Sequence, residues 1–156
     1  MNIRFTLTII GIFFLISISK THANPTGKSV SCHSSLKENL NYKNYKGISF
    51  ETERSVRVVT LKMKNNKLKV VSKLTPYKIK KNNIYFKIKF IWYGNIFFEE
   101  FNLNRDNLDL INNSKNQVRQ LKCKVINGDF MAEMNKVKEK YQSIFQQGVG
   151  EKINSF

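Results

Sequence analysis

Three observations predict a mainly β domain, an antiparallel meander of about eight strands forming a curled sheet or small barrel with a C-terminal amphipathic α-helix. First, Ile84–Leu103 reads as one long hairpin about Gly94-Asn95, with apolar residues alternating from Phe86 through Ile88 and Phe90 to Trp92 as in a half-buried strand. Second, Asn-rich turn signals recur at short spacing, at Asn65-Asn66, Asn82-Asn83, Asn104–Asn107 and Asn113–Asn116. Third, the apolar period lengthens from two to that of a helix after Asp129.

At the start of the chain, Met1–Arg4 is short and basic, Phe5–Ile18 is nearly unbroken apolar sequence, and Thr21-His22-Ala23 offers small residues where a signal peptidase cuts. Residues 1–23 are therefore expected to be a secretory signal. A membrane anchor is the alternative, but the apolar run is short for crossing about 30 Å of hydrocarbon. Residues 24–46 read as a polar arm with a turn of helix around Ser34–Leu40, residues 47–148 as one domain, and 149–156 as a tail.

Within the domain, Gly47–Glu53 is a first strand. Ser55–Lys64 follows with Val59, Leu61 and Met63 inward, and Asn65-Asn66 returns it into Lys67–Leu74, with Leu68 opposite Met63 and Val70 opposite Leu61. Thr75-Pro76 interrupts the chain before a short strand, Tyr77–Lys81. Asn82-Asn83 then leads into the central hairpin, with Ile79 opposite Phe86 and Tyr77 opposite Ile88. A Gly94-Asn95 turn places Trp92 opposite Phe97, Ile88 opposite Phe101, Phe86 opposite Leu103 and Lys89 opposite Glu100. It also sets Phe90 against Glu99, a carboxylate in the core, which a bulge or a position near an open end would relieve. Leu108–Asn112 and Gln117–Ile126 complete the sheet, the latter with Leu121, Cys123 and Val125 inward. Asp129 caps the helix, Phe130, Met134, Val137, Tyr141, Ile144 and Phe145 form its apolar stripe, and Gly148 stops it. That stripe packs on the sheet, closes a barrel mouth, or lies on a membrane surface.

Lys and Arg number 27 and Asp and Glu 11; without Arg4 and Lys20 the mature part holds 25 against 11, a net charge of +14. Such an excess favours anionic polymers or surfaces. Lys, Asn and Ile are all abundant, however, as an AT-rich coding sequence also produces. The predicted registers put Lys62 opposite Lys69, Lys64 opposite Lys67 and Lys78 opposite Lys87, all on the outer surface, a candidate polyanion-binding face. Few aromatic rings interleave with these lysines, which argues against a specific nucleic-acid groove. Cys32 and Cys123, the only cysteines, are expected to pair after export.

His33 is the single histidine beyond the signal, and no nucleophile elbow, phosphate loop or metal-ligand spacing is present. No catalytic residue, metal or cofactor is therefore assigned. The order Cys32, Ile48-Ser49-Phe50, Val56–Met63, Phe101–Arg105, Leu108-Asp109-Leu110 and Leu121-Lys122-Cys123 resembles small exported β-meander proteins of Gram-negative bacteria. The resemblance implies export to the periplasm or beyond and a β fold, and no chemistry. Two non-enzymatic roles are expected: weak binding of an anionic polymer or envelope surface by the lysine face, or lipocalin-like binding of a small hydrophobic ligand inside the barrel, lined by Phe90, Trp92, Phe97 and Glu99.

Overall fold

A computed structural model of the chain describes residues 24–34, 42–92, 95–114 and 117–153, with backbone only for 92, 95, 114, 117 and 148–153. The expected signal segment and the helical turn expected around Ser34–Leu40 lie outside the described residues, apart from Ser34 itself.

Eight antiparallel strands run in sequence order and close into a barrel: β1 Ser29–His33, β2 Lys46–Phe50, β3 Ser55–Lys64, β4 Lys67–Lys80, β5 Asn83–Trp92, β6 Asn95–Asn104, β7 Asp109–Ser114 and β8 Gln117–Ile126. A short 3-10 turn, Tyr42–Asn44, precedes β2, and one helix, α1 Phe130–Ile153, follows β8. The total of eight matches the expectation, but its composition differs. The polar arm contains β1, which pairs with both β2 and β8 and closes the barrel. Only Val30 and Cys32 of β1 are apolar and buried, too few to show as a period. The two strands expected on either side of Thr75-Pro76 are one, β4.

Pro76 is tolerated because of where its missing donor would point. Tyr77 N–H donates to Arg54 O on the β3 side, so the nitrogen of Pro76 faces β5. The β4–β5 ladder, which joins Lys80 to Asn83 and Tyr77 to Phe86, stops there. Beyond it the seam is bridged by side chains: Thr75 Oγ1 donates to Lys87 O at 2.6 Å, and Lys73 Nζ donates to Lys89 O.

Two hairpin registers shift by one residue on each strand relative to expectation. Trp92 pairs with Asn95, which the expected Gly94-Asn95 turn left out of the ladder; Gly94 itself lies outside the described residues. Phe90 now opposes Phe97, with ring centroids 5.6 Å apart, and Phe86 opposes Phe101 at 5.1 Å. Glu99 opposes Ile88 rather than Phe90, and Lys87 opposes Glu100 with an ion pair of 2.7 Å. The shift keeps every residue on its expected face while stacking the aromatic pairs. Likewise, β4 turns into β5 through Lys81 and Asn82, with Lys81 at φ 55°, so Tyr77 opposes Phe86 and Lys78 opposes Tyr85. The β3–β4 hairpin holds the expected register around Asn65 and Asn66, both at positive φ.

The faces of β3 are the main correction. Val56 and Val58 point into the barrel, whereas Val59, Leu61 and Met63 point outward with Leu68 and Val70, beneath α1. The helix docks on the outer wall. Asp129 caps it, its carboxylate accepting from Ala132 N–H at 2.7 Å. Fully buried Met134 fits over Gly47, where a Cβ would lie 2.2 Å from its sulfur. Gln142 accepts from Leu68 N–H at 2.6 Å and donates to Asn66 O at 3.3 Å, tying the helix to the β3–β4 turn. The helix runs past Gly148 to Ile153; a glycine inside a helix costs only about 1 kcal/mol, and it acts as a stop where the glycine itself takes up the left-handed conformation.

Candidate ligand-binding cavity

Inward-facing residues pack the barrel toward one end and leave its larger described cavity toward the other. Val30, Ile48, Val56, Phe86, Phe101, Leu103, Leu110 and Leu121 pack as a continuous core toward the end where β4 turns into β5. Above them lies a cavity of about 420 Å³ that opens at the opposite end, beside the 3-10 turn and the split between β4 and β5. This volume is within the range of about 300–1,000 Å³ usual for small-molecule pockets.

The lining has two chemistries. Val58 on β3, Val71 on β4, and Ile88 and Phe90 on β5 supply apolar wall; among the described residues, Lys43, Lys46, Lys62 and Lys73 supply four cations against one carboxylate, Glu99. The alternation of β2 places Lys46, Ile48 and Phe50 on the inner face, so Lys46 is drawn into the barrel by the same period that buries its neighbours. Its Nζ donates to Lys43 O at 3.2 Å, and its nearest counter-charge, Glu99 Oε2, stands 4.0 Å away. Burial lowers the Lys46 pKa below the usual lysine value; Glu99 pulls it back up, and the positive charges of Arg119 and Lys62 push it down further. The cavity mouth thus holds a desolvated ammonium incompletely compensated by its surroundings. Glu99 is equally placed by alternation: it sits between the Phe86–Phe101 and Phe90–Phe97 stacks, on the inner face but near the open end. No bulge is needed.

Of the residues expected to line an interior ligand, Phe90 and Glu99 do so, and Phe97 stacks on Phe90. The side chain of Trp92 lies outside the described residues. The expected lysine face is divided. Lys62 and Lys69 remain paired, as do Lys64 and Lys67, but Lys62 lines the cavity mouth instead of facing outward. Lys78 stands opposite Tyr85, and Lys87 is engaged with Glu100 and the Phe98 ring. The registers that paired Lys78 with Lys87 do not hold, so the six lysines do not form one surface. Lys46 and Lys73 were missed. Beginning the strand at Gly47 left Lys46 outside it, although the 46-48-50 period includes it; ending a strand at Leu74 hid the inward row Val71, Lys73, Thr75 and Tyr77.

Cys32 and Cys123 form a disulfide between register partners on β1 and β8. It is compatible with an oxidising, exported location. A second cavity of about 320 Å³ lies at the other end, with Phe50, Ile84 and Leu103 among its apolar lining and Lys28, Arg105 and Asp106 among its polar lining. Comparison with known proteins gave no match to a family model, a curated protein or a solved structure.

Proposed function

We propose that this protein is an exported carrier or sensor of an amphiphilic anion, a molecule with an apolar tail and a carboxylate-like head. The observation that carries this reading is Lys46: a buried ammonium at the mouth of a cavity with apolar walls, 4.0 Å from Glu99, its one carboxylate neighbour among the described residues, and under the positive charges of Arg119 and Lys62. A carboxylate entering there gains a charge-assisted hydrogen bond where the resident compensation is incomplete. Its tail extends along Val58, Val71, Ile88 and Phe90. The role assigns no catalytic step and no cofactor. It takes the protein to be secreted or periplasmic and akin to the small exported β-meander proteins it resembles. An anionic polymer lying across one lysine face has less support, since the registers scatter the six lysines over the cavity mouth, a hairpin and an ion pair.

Calorimetric titration of the oxidised protein with dodecanoate, dodecanol and a dodecyl ammonium salt tests this reading. Dodecanoate is expected to bind most tightly, and Lys46→Met to weaken it roughly 10–100-fold, the loss of a hydrogen bond to a charged group. Lys78→Met, remote from the cavity, serves as control. Equal affinity for the three compounds, or an unchanged Kd in Lys46→Met, overturns the proposal.

A further inference from the structure

We infer that the open end of the barrel, led by the tip of the β5–β6 hairpin, docks onto an anionic lipid bilayer. This tip is apolar on both faces. Outward lie Ile91, Ile96 and Phe98, at 68 %, 50 % and 46 % exposure; inward lie the stacked and only partly buried Phe90 and Phe97. A barrel wall needs one apolar face, so the second requires another environment.

The tip also lies beyond the backbone ladders to its neighbours, with only the side-chain bonds of Thr75 and Lys73 to Lys87 O and Lys89 O spanning the β4 side among the described residues. On one side the β6–β7 ladder ends at Glu100 and Asn113; on the other the β4–β5 ladder ends at Tyr77 and Phe86. A ribbon with open backbone edges does not enter the hydrocarbon core, where unpaired N–H and C=O groups are costly. It suits the interfacial layer, where those edges stay hydrated and the apolar side chains reach the acyl boundary.

Charge selects the lipid. Exposed Lys62, Lys64, Lys67, Lys69, Lys73 and Lys89 lie on the strands that converge at this end, with Glu99 and Glu100 as the acids of those strands and Glu139 on the adjoining part of α1. The strand turns at the opposite end mix signs, Glu51, Glu53 and Asp106 lying among Arg54, Lys81 and Arg105, and Asp129 follows β8 there, so the excess of positive charge is at the open end. Val118, 75 % exposed near the β7–β8 turn, adds a further apolar contact at the basic end. An anionic polymer would engage the lysines and leave Ile91, Ile96 and Phe98 in water. A second copy of the chain would cover the apolar residues while bringing two sets of lysines together. A bilayer with anionic headgroups satisfies both, each lysine contributing about 1 kcal/mol near such a surface. The purpose of docking rests on the proposed function, because the cavity opens at this end and an amphiphile would pass directly between bilayer and barrel; the surface itself stands without it.

The test uses the full oxidised protein and co-sedimentation with vesicles of phosphatidylcholine, with and without phosphatidylglycerol. Binding is expected only with the anionic lipid and is expected to fall with salt. The double variant Ile91→Ser and Ile96→Ser, at exposed positions outside the cavity lining, should lose vesicle binding roughly tenfold or more through its lost apolar contact. It should retain heparin binding and dodecanoate affinity. Lys67→Glu with Lys69→Glu should lose vesicle and heparin binding together. Unchanged vesicle binding in the serine variant overturns the inference and leaves a polyanion surface. A dimer of the wild-type protein that the serine variant abolishes overturns it in favour of a second copy. Vesicle binding without dodecanoate binding leaves docking standing and removes the proposed function; the reverse result removes docking alone.

Discussion

Lys46 is a cation that the fold has taken out of water and only partly compensated, and that state has a measurable pH signature. Its pKa in the folded chain lies below the ordinary lysine value of 10.5. Between those two values the unfolded chain holds more protons than the folded one, so this residue makes stability rise with pH across the window. Below the depressed pKa the full penalty of a buried charge is present. Tyr45 acts in the opposite sense: burial under α1 raises its pKa above the usual 10.0, so its contribution is intact below that value and declines above it. A bound carboxylate would return the Lys46 pKa upward. Dodecanoate affinity is therefore expected to be constant below the depressed Lys46 pKa and to fall as pH rises through it, with proton uptake on binding in that range. Calorimetry in buffers of different ionisation enthalpy detects the uptake. In Lys46→Met both the uptake and the pH dependence should vanish; if they persist, the anion is held elsewhere.

Among the elements, the β3–β4 hairpin explains why the sequence revealed the sheet but misplaced part of its core. Along β3 the apolar positions change parity at Val58-Val59, and along β4 they change at Val70-Val71. The two switches lie close together in register, where Thr60 opposes Val71 and Leu61 opposes Val70. Alternation tells which residues share a face, not whether that face looks into the barrel or under a helix. The row Val59, Leu61 and Met63 was thus legible as apolar and buried, while its partner remained hidden until α1 was placed. The helix stripe and the Asp129 cap were legible because both are local. Gln142 was not, since its bonds to Leu68 and Asn66 join residues more than seventy positions apart. The contact between Gly47 and Met134 permits a direct test. Gly47→Ala is expected to destabilise by about 1–3 kcal/mol through overpacking. Met134→Ala should cost about 2–5 kcal/mol through the cavity it leaves. The double variant should cost less than the sum, by roughly 0.5–3 kcal/mol, because the new methyl group fills vacated space. Strict additivity in urea unfolding would show that the helix does not bear on Gly47.

For the whole molecule, closure is the feature that local pattern could not supply, and the disulfide is its covalent form. The pairing of Cys32 with Cys123 was legible from their number and the expectation of export, whereas the strand carrying Cys32 was not. β1 spans five residues and buries only Val30 and Cys32 among its apolar side chains, yet it joins the first and last parts of the barrel. The cross-link spans 91 positions, so in the chain-entropy treatment it stabilises by about 4 kcal/mol, a large part of the roughly 5–15 kcal/mol that holds a domain together. It also belongs to the site. Reading across the ladders, Cys123 opposes Cys32, Cys32 opposes Lys46, Lys46 opposes Thr60 and Thr60 opposes Val71. One row of the barrel interior thus runs from the disulfide through the buried cation to the split seam. Cys32→Ala with Cys123→Ala is therefore expected to lower unfolding stability by several kcal/mol and to weaken dodecanoate binding as well, because β1 no longer fixes β2 and Lys46 loses its position. Hydrogen exchange should show opening first in β1 and β2 while β5 and β6 remain protected. Intact mass of protein purified from its host checks the premise, being two hydrogens lighter before reduction than after. Lost stability with unchanged affinity would separate the cross-link from the site, and two free thiols in the exported protein would remove it altogether.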